Sequence, residues 1–169
     1  RRRRSIPTAG RRRGPISASF RSPAADRTDM ALPKTPALTV DCVVFDARGR
    51  VLLIRRKNEP FKGAYALPGG FAEIGETVEA ACRRELLEET GIEAGDLRLV
   101  GVYSDPARDP RGHTVSVVYL AEVAGEAEPQ AGSDAAGADW VADWHKHKLA
   151  FDHAQILEDL ERLRRGVSE

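Results

Sequence analysis

Residues 69–92 contain the spacing pattern that most constrains this chain. They read GGFAEIGETVEAACRRELLEETGI and fit G-x5-E-x7-R-E-U-x-E-E-x-G-U, where U is a bulky aliphatic residue. The positions that fill the pattern are Gly70, Glu76, Arg84, Glu85, Leu86, Glu88, Glu89, Gly91 and Ile92. An acidic helix alone is common on protein surfaces, but here the glycines, the arginine and the aliphatic positions all match as well.

The pattern predicts a helix from Val78 to Thr90. Thr77 can cap its N-terminus, and Gly91 can end it in a left-handed conformation. One face of this helix is apolar and would pack against a sheet through Val78, Ala81, Cys82 and Leu86.

The other face of the predicted helix is acidic. Glu85, Glu88 and Glu89 are spaced i, i+3 and i+4, so their carboxylates lie side by side. Three anions repel each other unless a cation lies among them. Mg²⁺, or alternatively Mn²⁺, takes carboxylate oxygens and keeps waters that substrate phosphates can replace. Arg84 precedes Glu88 by four residues and can pair with a carboxylate through its planar guanidinium.

The remaining chain predicts strands around this helix. Alternating or continuous apolar residues predict strands over 37–46, 50–56, 64–67, 97–103 and 114–123. The first two, joined by the turn DARG, are expected to form a hairpin. Residues 125–139 are expected to be a loop, followed by a short strand or turn over 139–144. A final amphipathic helix over 152–165 should bury Ile156, Leu157, Leu160 and Leu163.

The complete pattern resembles the signature of the Nudix hydrolases, and the resemblance covers roughly residues 37–165. It implies an α/β fold, namely an α/β/α sandwich with a mixed sheet, a signature loop-helix-loop and a C-terminal helix. It also implies metal-dependent hydrolysis of a nucleoside diphosphate linked to another moiety, in which water attacks one phosphorus atom.

The resemblance also assigns roles to signature residues. It implies catalytic roles for Glu85, Glu89 and Arg84, and metal ligation by Gly70, Glu85, Glu88 and Glu89. Gly69 is an alternative source of the backbone carbonyl ligand, and Glu76 is expected to hold the loop or Arg84. The general base stays open among Glu85, Glu126, Glu128 and Asp134.

Residues 103–113, YSDPARDPRGH, resemble a loop of short prokaryotic ADP-ribose pyrophosphatases. The resemblance implies hydrolysis of ADP-ribose to AMP and ribose 5-phosphate. The candidate substrate-binding residues are Arg55, Tyr103, Asp105, Arg108, Arg111 and His113. The competing interpretation is a rigid turn in which Asp105, Arg108, Asp109 and Arg111 pair among themselves. Tyr65, Phe61, Tyr103, Trp140 and Trp144 are candidates for stacking on adenine or for the core.

Three other functions stay open at this point. A mutator-type (d)NTP pyrophosphohydrolase would share the signature, and so would a non-hydrolytic nucleotide-sensing regulator. The intact carboxylates favour an enzyme over a sensor. An RNA-directed hydrolase would use the arginine-rich start of the chain as a nucleic-acid arm.

The N-terminal segment differs sharply in composition from the rest. Residues 1–29 hold nine arginines against two aspartates, a net charge of +7, whereas residues 30–169 carry −7. We expect a disordered extension over residues 1–35 and the Nudix domain over 36–169. The extension could be an upstream translated stretch before a natural start at Met30, which we favour, a transit peptide or a basic arm.

The composition also predicts where the chain works and with what. Two cysteines, Cys42 and Cys82, lie at apolar positions and predict buried free thiols in a reducing, cytoplasmic compartment. No apolar run approaches the roughly 20 residues of a membrane helix. The expected partner is a small nucleotide substrate, with no nucleic acid and no membrane, and a homodimer is compatible with the sequence.

Overall fold

The computed structural model describes residues 33–123, 127–132 and 135–166. The elements in this part are β1 (Ala37–Val44), β2 (Val51–Arg56), β3 (Tyr65–Ala66), β4 (Gly69–Phe71), α1 (Val78–Thr90), β5 (Leu97–Tyr103), β6 (Thr114–Ala121), β7 (Ala135–Val141), a 3₁₀ turn (Trp144–Lys146) and α2 (His153–Gly166). The chain divides into two units, Arg1–Pro33 and Lys34–Glu169, and these elements belong to the second. The expected disordered extension falls mainly on residues 1–32, outside the described part, so it stays a prediction.

The strands form one mixed sheet and one antiparallel sheet. The four-stranded sheet has the order β4-β1-β6-β5, with β1 parallel to β6 and the other pairs antiparallel. The three-stranded sheet has the order β3-β2-β7 and is antiparallel throughout. Since β1 and β2 each have a neighbour on both sides and are covered on both faces, their near-continuous apolar sequences are explained.

The two helices lie on opposite sides of β1. Val40, Cys42 and Val44 belong to the apolar cluster that contains Ala81, Cys82 and Leu86 of α1. Val43 belongs to the cluster that contains Ile156, Leu157 and Leu160 of α2. Because successive side chains of a strand point to opposite faces, one buried strand serves both helices. The predicted α/β/α sandwich with a mixed sheet is confirmed.

The predicted hairpin between the first two strands is wrong, because β1 and β2 belong to different sheets. The end of β1 and the start of β2 are joined by an isolated antiparallel bridge between Phe45 and Val51. Asp46 fixes the turn by accepting the amides of Arg48 and Arg50 at 3.0 and 2.8 Å. A strand that is apolar on both faces does not specify its partner, so periodicity could not distinguish a hairpin from a corner between sheets.

The predicted loop over residues 125–139 is wrong in its last part. Strand β7 begins at Ala135 and pairs with β2 over its whole length. Its sequence, AAGADWV, has few β-branched residues and therefore a weak intrinsic preference for a strand. Strand β2 supplies the hydrogen-bonding partner that local sequence does not reveal. The short strand β4 was also missed, because it consists of Gly-Gly-Phe.

The helices agree closely with the predicted ones. Thr77 caps α1 by accepting the Ala80 amide at 3.2 Å, and Gly91 ends the helix with φ 69°. Helix α2 buries Ile156, Leu157 and Leu160, but Leu163 was wrongly placed on the buried face, since it is 55% exposed. The two cysteines are free and buried, as predicted. Among the described residues, neither helix has the length and apolar character to cross a bilayer.

We expect Gly91→Ala to destabilise the fold by about 1–2 kcal/mol, because an L-residue with a side chain disfavours the left-handed conformation. A Cβ at this position would meet its nearest atom at 3.6 Å, so no steric clash adds to that cost. The free energy of unfolding from urea titration measures the effect. Gly166→Ala, in α2 with open space around it, is the control and should be neutral or slightly stabilising. Equal effects of the two substitutions would contradict the conformational explanation.

Candidate active site

A cavity of about 370 Å³ opens beside the acidic face of α1. Its walls come from β1, β2, the segment that carries β3 and β4, helix α1, the loop between β5 and β6, and the start of α2. The ionisable side chains that line it are Asp41, Arg56, Glu73, Arg84, Glu85, Glu89, Arg108, Asp109, Arg111 and His153, with Phe71 and Phe151 as aromatic neighbours. These segments are distant in the chain, so folding alone brings them together.

Arg84 holds three of the four signature carboxylates in place. Its guanidinium donates to Glu76 at 2.7 Å, to Glu85 at 2.8 Å and to Glu88 at 3.2 Å. The hydrogen bond to Glu76 is the main reason that the pKa of Arg84 is raised, and the bonds to Glu85 and Glu88 add to the effect. Burial acts in the opposite direction but is outweighed, so the side chain stays charged. Glu76 also accepts the amide of Glu73 at 2.7 Å. Glu76 therefore orders both the loop and Arg84.

The carboxylates of Glu85 and Glu89 both line the cavity. Glu85 lies directly against Gly70, where an added Cβ would be 2.5 Å from its Oε1 atom. Glu89 Oε2 accepts the backbone N–H of Gly69 at 2.9 Å. Glycines at positions 69 and 70 therefore let the signature loop approach the two carboxylates closely.

Burial makes both carboxylates costly to ionise. It is the main reason that the pKa of Glu89 rises to about 8, and the negative charges of Glu85 and Asp41 add to the effect. Burial also raises the pKa of Glu85, although the adjacent Arg84 acts in the opposite direction. Two partly buried carboxylates that face one cavity would favour the binding of a cation between them.

The oxygen donors here fit a hard divalent cation. Within the described ranges, no three His, Cys, Asp or Glu side chains already form a closed metal cage. Mg²⁺ does not need one, because it is commonly held by one or two carboxylates and completes its shell with waters and substrate phosphates. Glu85 and Glu89 can supply those carboxylates, and Gly70 lines the same cavity.

All of these assignments from the signature stay predictions, and so do those of Glu88 and of the general base. The Glu88 side chain is 60% exposed, pairs with Arg84 and does not line the cavity, so its role as a metal ligand rests on the sequence pattern. Among the general-base candidates, Glu85 lines the cavity, whereas Glu128 is exposed and lines a separate cleft. Glu126 and Asp134 lie outside the described residues.

Arg56 and Arg111 form the basic part of the cavity wall, together with Phe151. The guanidinium of Arg56 lies 4.9 Å from the centre of the Phe151 ring, and that of Arg111 lies 5.6 Å from it. Arg111 also contacts Phe71 at 5.2 Å and donates to Asp109 at 2.7 Å. Stacking and hydrogen bonding therefore hold two cations at fixed positions beside the acidic groups.

The structure separates the six predicted substrate-binding residues. Arg108 and Arg111 line the cavity. Arg55 lines a different cleft, where it donates to the hydroxyl of Tyr65 at 2.8 Å. The other three do not line the cavity: Tyr103 donates to Asp159, Asp105 accepts the Ala107 amide, and the exposed His113 lies 3.4 Å from the Ser104 carbonyl oxygen. The substrate-binding roles of all six residues stay predictions.

The competing interpretation of a self-paired loop holds for one pair of charges. Asp109 binds Arg111, and this pairing holds the pKa of Asp109 below its usual range although burial acts to raise it. Arg108 instead leaves the loop and binds Asp152 at 2.7 Å, with Asp41 at 3.5 Å. The loop therefore combines an internal pair with a long-range one.

Sequence reasoning missed several residues of the cavity, among them Arg56, Asp41, Phe151 and His153. Arg56 follows Arg55 in β2, and strand alternation places the two side chains in different clefts. Asp41 stands alone in an apolar strand, which is a detectable signal for a buried polar role. Phe151 and His153, just before and at the start of α2, carry no local signal, because their partners come from other segments.

Comparisons with known proteins agree with this geometry. The chain matches the family described as NUDIX domain over residues 35–160. A protein of Methanocaldococcus jannaschii named ADP-ribose pyrophosphatase is 50% identical over 131 residues, covering 78% of this chain and 76% of that protein. The ADPR responsive transcriptional repressor NtrR of Acinetobacter baylyi is 37% identical, but the match spans 52% of its length.

Solved structures give the same result. The NUDIX domain of Shewanella oneidensis NrtR, complexed with ADP ribose, aligns with a TM-score of 0.70 and 34% identity, covering 77% of this chain and 90% of that domain. A MutT/nudix family protein from Enterococcus faecalis aligns with a TM-score of 0.70 and 34% identity, covering 78% of this chain and 63% of that protein. The chain therefore belongs to the NUDIX family and is a pyrophosphohydrolase of that family.

Proposed function

We propose that this protein hydrolyses ADP-ribose to AMP and ribose 5-phosphate, using Mg²⁺ with Mn²⁺ as a substitute. The observation that carries the proposal is a single cavity in which Glu85 and Glu89 are combined with Arg56 and Arg111. The 50% identity to a protein named ADP-ribose pyrophosphatase, and the likeness to a domain crystallised with ADP ribose, support the choice of substrate.

In this proposal, Arg56 and Arg111 bind the phosphate oxygens of the substrate. Their guanidinium groups are already fixed by Phe151 and Asp109, so little freedom is lost when an anion binds. The exposed ring of Phe71 offers a flat surface on which adenine can stack. The cavity volume of about 370 Å³ suits a small nucleotide as the substrate.

The acidic residues prepare the hydrolytic step. Arg84 orients Glu85, and the Gly69 amide orients Glu89, so both carboxylates are held ready for the cation. Bound Mg²⁺ would supply charge neutralisation of the phosphates and activation of water. Water then adds its oxygen to one phosphorus, the bond from that phosphorus to the bridging oxygen breaks, and a carboxylate takes the released proton. Glu85 is our candidate for this base.

The relative named as an ADPR responsive repressor supports one alternative, namely ADP-ribose binding without turnover. A second relative, at 33% identity, is a putative 8-oxo-dGTP diphosphatase of Bacillus subtilis and represents the mutator-type alternative. Incubation of the purified protein and Mg²⁺ with ADP-ribose, 8-oxo-dGTP and the natural dNTPs, followed by mass analysis of products, distinguishes the three. AMP and ribose 5-phosphate support our proposal. Bound but intact ADP-ribose, or preferred release of diphosphate from a dNTP, would overturn it.

We expect Glu89→Gln to reduce turnover of ADP-ribose by orders of magnitude while the fold stays intact. The amide can still accept the Gly69 N–H, but it offers no anionic oxygen to a cation. Steady-state kinetics and thermal unfolding are the measurements. Glu79→Gln is the matched control, because Glu79 lies on the same helix, binds Tyr119 and does not line the cavity. Near-normal turnover by the Glu89 variant would refute its assignment as a metal ligand.

The pKa of Glu89, raised to about 8 by burial, predicts how stability depends on pH in the absence of metal. Between its ordinary value of 4.5 and about 8, the folded state binds this proton more tightly than the unfolded state does. The contribution of Glu89 to stability is therefore complete below pH 4.5 and is lost as pH rises through about 8. Urea titrations in EDTA should show this loss in the parent protein and not in Glu89→Gln. Parallel pH profiles of the two proteins would contradict the raised pKa.

A further inference from the structure

A network of buried polar groups lies behind the carboxylates, centred on Asp41 in the middle of β1. Oδ2 of Asp41 accepts the Ser116 hydroxyl at 2.5 Å and lies 3.5 Å from Arg108. Its Oδ1 lies 3.3 Å from Nε2 of His153. All four residues are at most 9% exposed. Burial acts to raise the pKa of Asp41, but His153, Ser116 and Arg108 outweigh it and hold that pKa below the usual range, so Asp41 is an anion.

His153 connects this network to the backbone that leads into the signature. Its Nδ1 accepts the Leu67 amide at 2.9 Å, so Nδ1 carries no hydrogen. The ring proton is therefore on Nε2, which lies 3.3 Å from Oδ1 of Asp41. Each nitrogen of the imidazole has one defined partner, and the ring bridges helix α2, strand β1 and the segment before β4.

The segment from Leu67 to Gly69 is fixed on its other side by β1. The Pro68 carbonyl accepts the Cys42 amide at 2.8 Å, and Gly69 stands opposite Asp41 in the strand register. No side chain fits at Gly69, because an added Cβ would lie 2.2 Å from the Val40 carbonyl oxygen. The Gly69 amide, held in this way, is the group that donates to Glu89.

Arg108 extends the network to the loop between β5 and β6. It binds Asp152 with two hydrogen bonds, of 2.9 and 2.7 Å, at the residue before His153. The start of α2 is thus attached to both β1 and the loop. Buried ionic networks contribute little net stability compared with apolar packing, but their directional bonds define one geometry.

We propose that His153, oriented by Asp41, is a positioning residue for Glu89, acting through the Leu67–Gly69 backbone. The inference rests on the proposed function for its catalytic consequence. Without the bond from the Leu67 amide to His153, the segment is fixed by β1 alone. The Gly69 N–H is then held less firmly, and Glu89 no longer points consistently into the cavity. Helix α2 therefore influences the geometry of a carboxylate on α1 through backbone hydrogen bonds.

Two substitutions separate the bonds that His153 makes. In His153→Gln the amide nitrogen can still donate to Asp41, but the Leu67 amide is left without its acceptor. In His153→Asn the carbonyl oxygen lies near the former Nδ1 and can accept from Leu67. Ile156→Val is the control, because it loosens the same helix in the apolar core and leaves the polar network intact.

The first readout needs neither metal nor substrate. Native-state hydrogen exchange, followed by NMR of the metal-free protein, measures protection of the Leu67 and Gly69 amides. We expect His153→Gln to reduce protection at these two amides selectively, whereas His153→Asn should keep protection close to that of the parent protein. A loss of protection spread evenly over α2 and the core, as in a general destabilisation, would overturn the proposal.

The second readout uses Mn²⁺ alone and then ADP-ribose. We expect His153→Gln to lower Mn²⁺ affinity or kcat by about 10–100-fold, the usual effect of removing a residue that orients a metal ligand. KM for ADP-ribose should change little, because Arg56 and Arg111, the proposed phosphate ligands, are held by Phe151 and Asp109 rather than by His153. Ile156→Val should keep both values. Unchanged Mn²⁺ affinity and kcat in His153→Gln would overturn the positioning role, whereas absence of ADP-ribose hydrolysis by the parent protein would overturn only the proposed function.

Discussion

The site depends on two carboxylates, Glu85 and Glu89, that are kept partly out of water beside one another. In an ordinary protein surface such groups would separate and be solvated. Here Arg84 binds Glu85 and the Gly69 amide binds Glu89, so both side chains stay at the cavity. They stay there although burial disfavours their ionised forms and raises both pKa values. In the function that we propose, the unfavourable free energy of this arrangement would favour binding of a divalent cation, since the cation would remove the repulsion.

The sandwich supplies the rigidity that this arrangement needs. Strand β1 lies between α1 and α2 and contributes apolar side chains to both interfaces. It also carries Asp41, which faces the start of α2, and it pairs with β4 beside the signature loop. One strand therefore connects the acidic helix, the glycine loop and the C-terminal helix. A displacement of α2 is expected to reach the carboxylates through backbone hydrogen bonds rather than through apolar packing alone.

Local interactions explain why α1 could be predicted residue by residue. Its cap at Thr77, its left-handed end at Gly91 and its apolar stripe depend on neighbours within one or two turns. Strand pairing depends on partners far away in the chain. For this reason the predicted hairpin and the last part of the predicted loop over residues 125–139 are wrong, although most of the individual strands are located correctly. The weak sequence of β7 forms a strand because β2 offers it a hydrogen-bonding edge.

The same division applies to the site. The sequence by itself determined the family pattern, the acidic face with Glu85 and Glu89, and the pairing of Arg84 with its neighbours, because all of these lie within one loop and helix. The tertiary structure decided that Arg56, Phe151 and His153 join them and that Glu88 faces solvent. Those positions depend on how strands and helices separated by tens of residues pack together, and no local spacing encodes that packing.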